Sequence, residues 1–367
     1  MKTIGVITGN LRQHQTGMST YSFHILEGIK TKYEVYQIMD SSGDLENGCR
    51  QVIPKTLPIP YNYLPWSISL SLQKKLLSRF DIIHNVCQYP ITIPYPDRSI
   101  MTIHDLIPVL YPSLVTPIYA WQARFLLPKV LKKAALVLAV SEHTKQDLVT
   151  RYHLDPQKID VTYEGVSDHF HPCSQEEIKQ YRQRMGLLDP YVLFVGALEP
   201  KKNIPGILKA FSLCLKEIPH LKLVLAGKLS WKYEDIFSLI KDLKIENQVR
   251  YLDFVPYQDL PLLYSGAEVF VFPSWYEGFG LPPLEAMKCG TPVIVSDQSS
   301  LPEIAGPDGL MVAPNDHVSL SQKMLTILTD QSFRTRMSQY YLRRSTLFSW
   351  ENCIKKTTES YEKILTH

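Results

Sequence analysis

The 367-residue chain lacks the cysteine spacings that mark metal or redox sites. Its six cysteines are scattered along the chain, and no two of them form a Cys-x-x-Cys pair. A zinc knuckle or a redox dithiol of that type is therefore excluded. We expect reduced thiols, as in cytosolic proteins.

Long apolar runs are missing as well. No stretch reaches the roughly 18 apolar residues of a membrane-spanning helix. The first residues, MKTIGVITGN, have neither the apolar core nor the cleavage site of a leader peptide. We therefore expect a cytoplasmic protein that is neither secreted by that route nor membrane-spanning.

Neither sign of charge dominates, because 39 Lys and Arg face 36 Asp and Glu for a formal net charge of +3. This excess is too small for a protein that coats nucleic acid, so no nucleic-acid partner is expected. Hydrophobic residues (45%) and charged residues (20%) occur at globular levels, which excludes a disordered chain. Glycine (17) is scarce beside proline (26), which excludes a collagen or flexible linker.

Short apolar runs of strand length alternate with longer segments of helical period along the whole chain. That alternation predicts parallel sheets covered by helices, the α/β class. The length suits two to three domains of about 150 residues, so two doubly wound, Rossmann-like units in tandem are the economical interpretation. The strand candidates are residues 3–8, 34–39, 81–86, 100–103, 135–140, 159–162, 191–195, 221–226, 249–254, 269–272 and 292–296.

A polar segment that contains proline, residues 169–188, separates the two series of strands. We place the domain boundary there and predict an N-terminal domain over 1–172 and a C-terminal domain over 173–348. After Asp316 the pattern is helical with no further strand. The last helix, over 349–367, is expected to cross back and pack on the N-terminal domain.

The strongest local motif is PSWYEGFGLPPLEA at 273–286, which directly follows the apolar run VFVF. It lies at the carboxyl end of a strand, where open α/β sheets bind ligands. Gly278 and Gly280 allow the backbone to approach a ligand, and the following prolines suit a helix start whose free amides attract anionic oxygens. With Glu277 on the loop and Glu285 in the first helical turn, two carboxylates would grip different ends of one polar ligand. The plainer alternative is a helix start enriched in acids.

These residues resemble a known family. Glu277, GFGLPPL and Glu285 are similar to the E-x7-E motif of the retaining glycosyltransferases of family 4, which have the GT-B fold. Further motifs of that family occur in the expected order: IHDL at 103–106, VSEHT at 140–144, EGV at 164–166 and VGALEPKKN at 195–203. The resemblance covers nearly the whole chain and implies two Rossmann-like, doubly wound domains that face each other across a cleft.

The resemblance implies a role for each matching residue. Glu285 would bind the ribose hydroxyls of a nucleotide diphosphate sugar, Glu277 would contact the transferred sugar near the reacting carbon, and Lys202 would meet the diphosphate. Lys201 is a candidate second cation, because the arginine that many relatives carry five residues before Lys202 is here Ala197. An exposed lysine is the alternative for Lys201. The implied donor site is completed by Gly17, Gly196, Gly278, Phe279, Gly280 and Leu281.

His104 and Asp105 end another predicted strand and are the remaining catalytic candidates. In the family the matching histidine touches the donor sugar, so His104 would donate to a sugar hydroxyl or help move the acceptor proton. Asp105 would orient it or bind the acceptor. A histidine that satisfies a backbone group is the plain alternative, as a lone glycine before a helix is for Gly17. Ser141 is expected to be a helix N-cap.

Two absences bear on the mechanism. No Asp-x-Asp pair occurs, so we expect neither a metal nor a cofactor besides the donor. No Gly-x-Gly-x-x-Gly occurs either, which argues against a dinucleotide dehydrogenase.

The resemblance implies retaining transfer of a hexosyl group to a hydroxyl of a glycan or lipid-linked acceptor in polysaccharide or glycoconjugate synthesis. The segment LEPKKN at 198–203 is similar to the mannosyl and rhamnosyl branch of the family, which favours GDP-mannose as the donor. A UDP-sugar or dTDP-rhamnose donor is an alternative. A non-catalytic sugar-nucleotide-binding protein is another.

Aromatic and basic residues interleave in two segments of the N-terminal half, residues 61–79 and 121–133. This pattern suits an interfacial helix that holds a lipid-linked acceptor near the inner face of the plasma membrane. It also suits an ordinary amphipathic helix with snorkelling lysines. Peripheral membrane contact is therefore left open.

Overall fold

The computed structural model describes residues 1–9, 16–39, 45–53, 70, 73–88, 97–230 and 233–366. The chain forms two compact units, Met1–Gly165 with Trp350–His367, and Val166–Ser349. This corrects the predicted boundary between 172 and 173, because the intervening residues pack on the second unit. The Val166 N–H donates to the Phe348 carbonyl at 3.2 Å, and the Phe170 ring centroid lies 5.5 Å from that of Tyr257.

Seven parallel strands form the sheet of the first unit. They are β1 (Thr3–Gly9), β2 (Glu34–Met39), β3 (Arg50–Val52), β4 (Ile82–Asn85), β5 (Ser99–Ile103), β6 (Leu136–Ala139) and β7 (Ile159–Val161). Their order is β3-β2-β1-β4-β5-β6-β7. The predicted strands are present to within one residue at each end, and the central strands β1, β4, β5 and β6 are buried almost throughout. The edge strand β3 was not predicted, since Arg50 and Gln51 are exposed.

Two helices of the first unit, those that follow Thr16 and Ser141, begin at side-chain caps that the sequence supplies. The Thr16 hydroxyl accepts from the Ser19 N–H at 3.2 Å, and the Ser19 hydroxyl oxygen accepts from the Thr16 N–H at 2.8 Å. Ser141 accepts from the Thr144 N–H at 3.0 Å, which confirms the predicted N-cap. The helices are α1 (Gly17–Ile29), α2 (Lys74–Leu77), α3 (Ile107–Leu110), α4 (Pro117–Phe125), α5 (Leu127–Lys133) and α6 (Glu142–Tyr152).

Six parallel strands form the sheet of the second unit. They are β8 (Tyr191–Val195), β9 (Lys222–Ala226), β10 (Val249–Leu252), β11 (Val269–Phe272), β12 (Val293–Ser296) and β13 (Leu310–Val312). Their order is β10-β9-β8-β11-β12-β13. The three-residue edge strand β13 was not predicted, because a run that short carries no distinctive pattern. The sheet core is apolar, with Phe194, Phe270 and Phe272 fully buried.

The helices of the second unit are α7 (Gln175–Met185), α8 (Ile204–Cys214), α9 (Glu234–Asp242), α10 (Leu260–Ser265), α11 (Leu281–Lys288), α12 (Leu301–Ala305), α13 (His317–Thr329) and α14 (Gln331–Ser345). Short 3-10 turns occur at Pro112–Leu114, Pro156–Lys158, Pro200–Lys202 and Tyr257–Asp259. Gly186 ends α7 in the left-handed conformation, with a φ of 65°. A glycine adopts this conformation at no steric cost.

The last helix, α15 (Trp350–Leu365), packs on the first unit. The Trp350 ring stacks on His24 with centroids 4.2 Å apart. Farther along, the Tyr361 hydroxyl lies 2.6 Å from Nδ1 of the buried His84 on β4, and Lys363 forms an ion pair with Asp160 at 2.8 Å. The end of the chain thus completes the unit that its beginning starts.

Candidate functional site

The strand order of the second sheet reverses between β8 and β11, which are neighbours in space. At such a reversal the connections leave in opposite directions, and a crevice opens at the carboxyl ends of the two strands. Lys202 ends the 3-10 turn that follows β8, and Glu277 lies on the loop that follows β11. The topology therefore brings together two predicted site residues that are 75 positions apart.

Lys202 and Glu277 form a buried ion pair. Lys202 Nζ donates to Glu277 Oε1 at 2.7 Å, and the two residues are 9% and 8% exposed. The same ammonium lies 4.8 Å from the ring centroid of Phe272, the last residue of β11. An aromatic face attracts a cation at this distance, so the ring helps to hold the lysine at the strand end.

Burial acts against both charges of this pair. It lowers the pKa of Lys202, although the Glu277 carboxylate partly opposes the effect. Burial also acts to raise the pKa of Glu277, but the nearby charges of Lys202 and Lys201 outweigh it and the pKa is lowered. Glu277 is therefore ionised at neutral pH.

The loop that carries Glu277 is tied down at several points. The Glu277 N–H donates to the Ser299 hydroxyl at 2.9 Å, and the Ser300 hydroxyl lies 3.1 Å from the Glu277 carbonyl and 2.6 Å from that of Phe279. Asn203, in the left-handed conformation with a φ of 57°, donates to the carbonyls of Pro273 and Pro314 at 3.1 and 2.6 Å. The sequence identified Asn203 as part of a motif but not this positioning role.

Two of the predicted donor glycines occupy conformations that other residues rarely adopt. Gly196 has a φ of 149° directly after β8, and Gly280 has a φ of 122° before α11. A Cβ on Gly280 would lie 2.8 Å from Leu301 Cδ2. Sequence analysis overlooked Gly227 at the end of β9, where a Cβ would lie 2.1 Å from the Gly196 carbonyl oxygen. Close backbone approach at these strand ends therefore requires glycine.

Glu285 is the fifth residue of α11 and so lies in its second turn, not in the first turn as predicted. Its Oε2 accepts from the Tyr264 hydroxyl at 2.8 Å. Burial raises the pKa of Glu285 to about 7, and the bond from Tyr264 partly opposes that rise. Glu277 and Glu285 thus titrate in different pH ranges, a separation typical of functional carboxylates.

The neighbouring motif residues have other contacts. Lys201 Nζ lies 3.4 Å from Glu199 Oε1, and its carbonyl accepts from the Trp275 N–H at 2.8 Å. The Phe279 side chain is buried against Phe348, with ring centroids 5.8 Å apart, and Leu281 is also buried. Those two apolar side chains serve packing. Gly278 lies on the same loop, beside Glu277.

In the first unit His104 follows β5 and is 9% exposed. Its Nε2 lies 2.8 Å from the Val86 carbonyl, which can only accept, so Nε2 carries a proton. Its Nδ1 lies 3.2 Å from Glu164 Oε1. Burial acts to lower the pKa of His104, but the hydrogen bond and charge of Glu164 outweigh it and the pKa is raised. In this arrangement neither ring nitrogen is left for a sugar hydroxyl or for proton transfer.

Asp105 and Gly17 lie near helix starts in the first unit. Asp105 Oδ1 accepts from the Ile107 N–H at 3.1 Å, at the beginning of α3. The predicted orienting role of Asp105 is therefore taken by Glu164, which sequence analysis recorded only as a family motif. Glu164 is the third residue after β7, and this position near a strand end was the available signal. Gly17 is exposed at the first position of α1, as the phosphate-approach hypothesis requires.

Among the described residues, no group of three or more His, Cys, Asp or Glu side chains is placed to hold a metal ion. No helix in the described ranges is both long enough and apolar enough to cross a bilayer. In the first of the two aromatic and basic segments, residues 61–69, 71 and 72 lie outside the described residues. Residues 121–133 form most of α4 and all of α5.

Two family models match the chain. The model described as Glycosyl transferases group 1 matches residues 177–344, and Glycosyltransferase Family 4 matches residues 16–170. The first match lies within the second unit and contains Lys202, Glu277 and Glu285. The second contains Gly17, His104 and Asp105.

The O-antigen chain mannosyltransferase B of Escherichia coli is 35% identical to this chain over 268 residues, which are 72% of this chain and 70% of that protein. The serotype-specific mannosyltransferase WbdA of E. coli is 30% identical over 289 residues, which are 76% of this chain and 35% of WbdA. This chain therefore spans about a third of the length of WbdA.

Among solved structures, a sucrose-phosphate synthase from Thermosynechococcus elongatus superposes with a TM-score of 0.82 at 21% identity, with both chains fully covered. At 21% sequence identity, this superposition shows a shared fold. Together with two parallel-sheet α/β units, it confirms the predicted GT-B fold class.

Proposed function

This chain belongs to the group 1 glycosyltransferases of family 4, and we propose that it transfers a mannosyl group from GDP-mannose to a hydroxyl of an O-antigen glycan. The names of both similar E. coli proteins support the mannosyl group, and the name of mannosyltransferase B supports the O-antigen acceptor. We further propose that the anomeric configuration is retained, as is usual for this family. The reaction would use a lipid-linked glycan on the cytoplasmic side of the membrane.

The observation that carries this proposal is the Lys202–Glu277 pair at the strand-order reversal. Donor diphosphate oxygens would compete with Glu277 for the Lys202 ammonium. The carboxylate released from the pair would then turn to the transferred sugar, where positive charge develops as the glycosidic bond breaks. Lys202 would at the same time balance the growing charge on the leaving diphosphate.

Glu285 would hold the other end of the donor. An ionised carboxylate accepts two hydrogen bonds from a ribose diol, and the Tyr264 hydroxyl fixes the carboxyl group in place. Because the pKa of Glu285 is raised to about 7, donor binding would favour release of its proton. The exposed start of α1 at Gly17, and the backbone at Gly196, Gly278 and Gly280, would approach the remaining donor oxygens.

We propose that transfer requires neither a metal ion nor a cofactor, since Lys202, Lys201 and backbone amides supply positive charge. His104 would contact the sugar only by giving up one of its two protein partners, Val86 or Glu164. Asp105 belongs to this proposal as a residue beside the acceptor. Both roles rest on the family resemblance.

A donor panel tests the proposal. The chain is incubated with a mannose-terminated lipid-linked glycan and each of GDP-mannose, UDP-glucose and dTDP-rhamnose, with and without EDTA. We expect transfer from GDP-mannose alone, a product whose one-bond C1–H1 coupling constant in NMR shows the same anomeric configuration as the donor, and no loss with EDTA. Transfer from another donor would overturn the mannosyl assignment, and an inverted anomer would overturn retention.

A different result would indicate a sugar-nucleotide-binding protein without catalytic activity. Saturable GDP-mannose binding without hydrolysis or transfer to any glycan offered would contradict an enzyme. Glu277→Gln is the control, since it should lose transfer, and thermal unfolding checks that it is still folded at the assay temperature.

A further inference from the structure

A pocket of about 680 Å³ lies in the first unit and is lined by residues between 108 and 152. Helices α3, α4 and α5 and the end of α6 form its walls. None of the residues assigned to the donor or to catalysis lines it. Its volume is in the range of small-molecule sites, about 300–1,000 Å³.

One wall of the pocket is apolar and open to solvent. Trp121 and Phe125, one turn apart on α4, are 48% and 49% exposed, with ring centroids 6.1 Å apart. Tyr111 and Ile118, in the adjoining turn and on the same helix, are also large and exposed. Ile118, Trp121 and Phe125 are three and four positions apart and therefore share one face of α4. An exposed apolar face of this kind marks a binding surface.

The pocket is also positively charged. Arg124, Lys132 and Arg151 line it, and no acidic residue lines it among the residues described. Within the described ranges none of these three cations forms an ion pair with a carboxylate. Arg124 lies over the Phe125 ring, with its guanidinium carbon 5.6 Å from the ring centroid. The cations and the aromatic wall therefore face one volume.

We propose that this pocket binds a phosphate or diphosphate group that carries a long apolar chain, that is, a single phosphorylated lipid. Arginine and lysine are the side chains that recognise phosphate oxygens. Trp121 and Phe125 would cover the first part of the apolar chain, and its removal from water is favourable. A free anion would make no contact with the aromatic wall, and a neutral lipid would leave the three cations without an anionic partner.

The pocket adjoins a motif of the first unit. Asp105 accepts from the N–H of Ile107, and the next two residues, Pro108 and Val109, line the pocket. A lipid phosphate in the pocket would lie close in the chain to the proposed acceptor-side residues. The inference deepens the proposed function and rests on it, since a lipid-linked glycan is the proposed acceptor. It is tested by binding without a donor, so its failure can be told apart from a failure of the transfer assay.

Binding of small probes tests the proposal. Dodecyl phosphate and dodecyl maltoside, each below its critical micelle concentration, and inorganic phosphate are titrated separately into the full chain by calorimetry. We expect saturable binding of dodecyl phosphate, about tenfold or more tighter than either other probe. Equal binding of inorganic phosphate would show a plain anion site, and equal binding of dodecyl maltoside a plain apolar site. Either result would overturn the proposal.

Charge reversal locates the site. Arg124→Glu with Arg151→Glu should weaken dodecyl phosphate binding by about tenfold or more. The matched control, Lys129→Glu with Lys133→Glu, makes the same change of net charge on exposed residues of α5 outside the pocket lining. The control should change affinity by less than about twofold. Equal losses in the two double variants would contradict a defined pocket.

Thermal unfolding checks that each variant folds, and Arg124→Gln with Arg151→Gln replaces the reversal where it does not. Trp121→Ala should weaken dodecyl phosphate binding and leave that of inorganic phosphate unchanged. Vesicles of phosphatidylcholine with phosphatidylglycerol distinguish a membrane surface from a single lipid. Vesicle binding without saturable binding of dodecyl phosphate would overturn the proposal.

Discussion

Each of the two units buries an ion pair near the carboxyl ends of its parallel strands. The two pairs differ in how many hydrogen-bonding groups they leave available for a ligand. In the first unit both ring nitrogens of His104 are engaged, one by Val86 and one by Glu164. In the second unit Lys202 donates one hydrogen bond to Glu277 among the described residues, and an ammonium has three N–H groups. Lys202 can therefore exchange partners with a ligand. Burial is common to both ion pairs and so does not identify a functional one. The pair in the second unit differs because Lys202 has N–H groups left to donate and lies at a strand-order reversal.

The largest effect is expected from breaking the pair in the second unit. Lys202→Met or Glu277→Gln should lower transfer at least about a hundredfold, because each removes a charge that balances the transition state. Each should also destabilise the fold by about 3–5 kcal/mol, since it leaves a buried charge without its partner. Transfer assays and urea unfolding measure the two effects.

The double variant separates stability from activity. Lys202→Met with Glu277→Gln should regain part of the unfolding free energy and none of the transfer, because no buried charge is left. Arg184→Met, which breaks an exposed pair with Asp259 in the same unit, is the control and should cost no more than about 1 kcal/mol. Transfer by the double variant at the wild-type rate would refute the assigned roles.

A smaller effect is expected from the pair in the first unit. Glu164→Gln should lower the free energy of unfolding by about 1–3 kcal/mol while transfer, measured well below the unfolding temperature, falls less than about tenfold. Because Glu164 raises the pKa of His104, the pair stabilises the fold below the unfolded histidine pKa, and this contribution is lost as pH rises through the raised value.

The pH profile of unfolding should therefore flatten in Glu164→Gln. A hundredfold loss of kcat in His104→Gln, with unfolding unchanged, would instead indicate that His104 contacts the sugar. Both ion pairs would then take part in transfer.

Donor binding should depend on pH through the carboxyl group of Glu285. Since the pKa of Glu285 is raised to about 7, the ionised form that accepts from the ribose becomes populated as pH rises through this value. Donor affinity should rise by up to about tenfold per pH unit below pH 7 and level off above it. Calorimetric titration of GDP-mannose between pH 5.5 and about 8.5 measures the profile.

Two variants sharpen this test. Glu285→Gln should abolish the pH dependence, and Tyr264→Phe should move its midpoint upward, because the tyrosine hydroxyl lowers the pKa of the carboxyl group. A profile that is unchanged in Glu285→Gln would assign the titration to another group. By linkage the raised pKa stabilises the fold at low pH, and this contribution is lost as pH rises through about 7.

Much of the fold was predictable because most strands are buried apolar runs bounded by helical segments. The exceptions were the edge strands β3 and β13, which are short and carry no strong pattern. The boundary was misplaced since Phe170 and its neighbours lie in an irregular segment whose partner, the ring of Tyr257, is remote in the chain. Residues with local signals lie where the sequence placed them, such as Ser141 at a helix start and Glu277 on the loop after a strand. Glu164, Tyr264 and Gly227 were missed as contacts, because their partners are on other strands or helices.

The sequence by itself determined the α/β class, the helix caps and the placement of acidic and basic motifs after strands, since these follow from local periodicity and from residues within a few positions of one another. Only the tertiary structure decided which of those motifs meet. The neighbours of a strand are chosen by packing across the whole sheet, so Lys202 and Glu277 come together while His104 is paired with Glu164. Burial then sets the pKa of Glu285, because the cost of removing a charge from water depends on the surrounding fold and not on the residue's place in the chain.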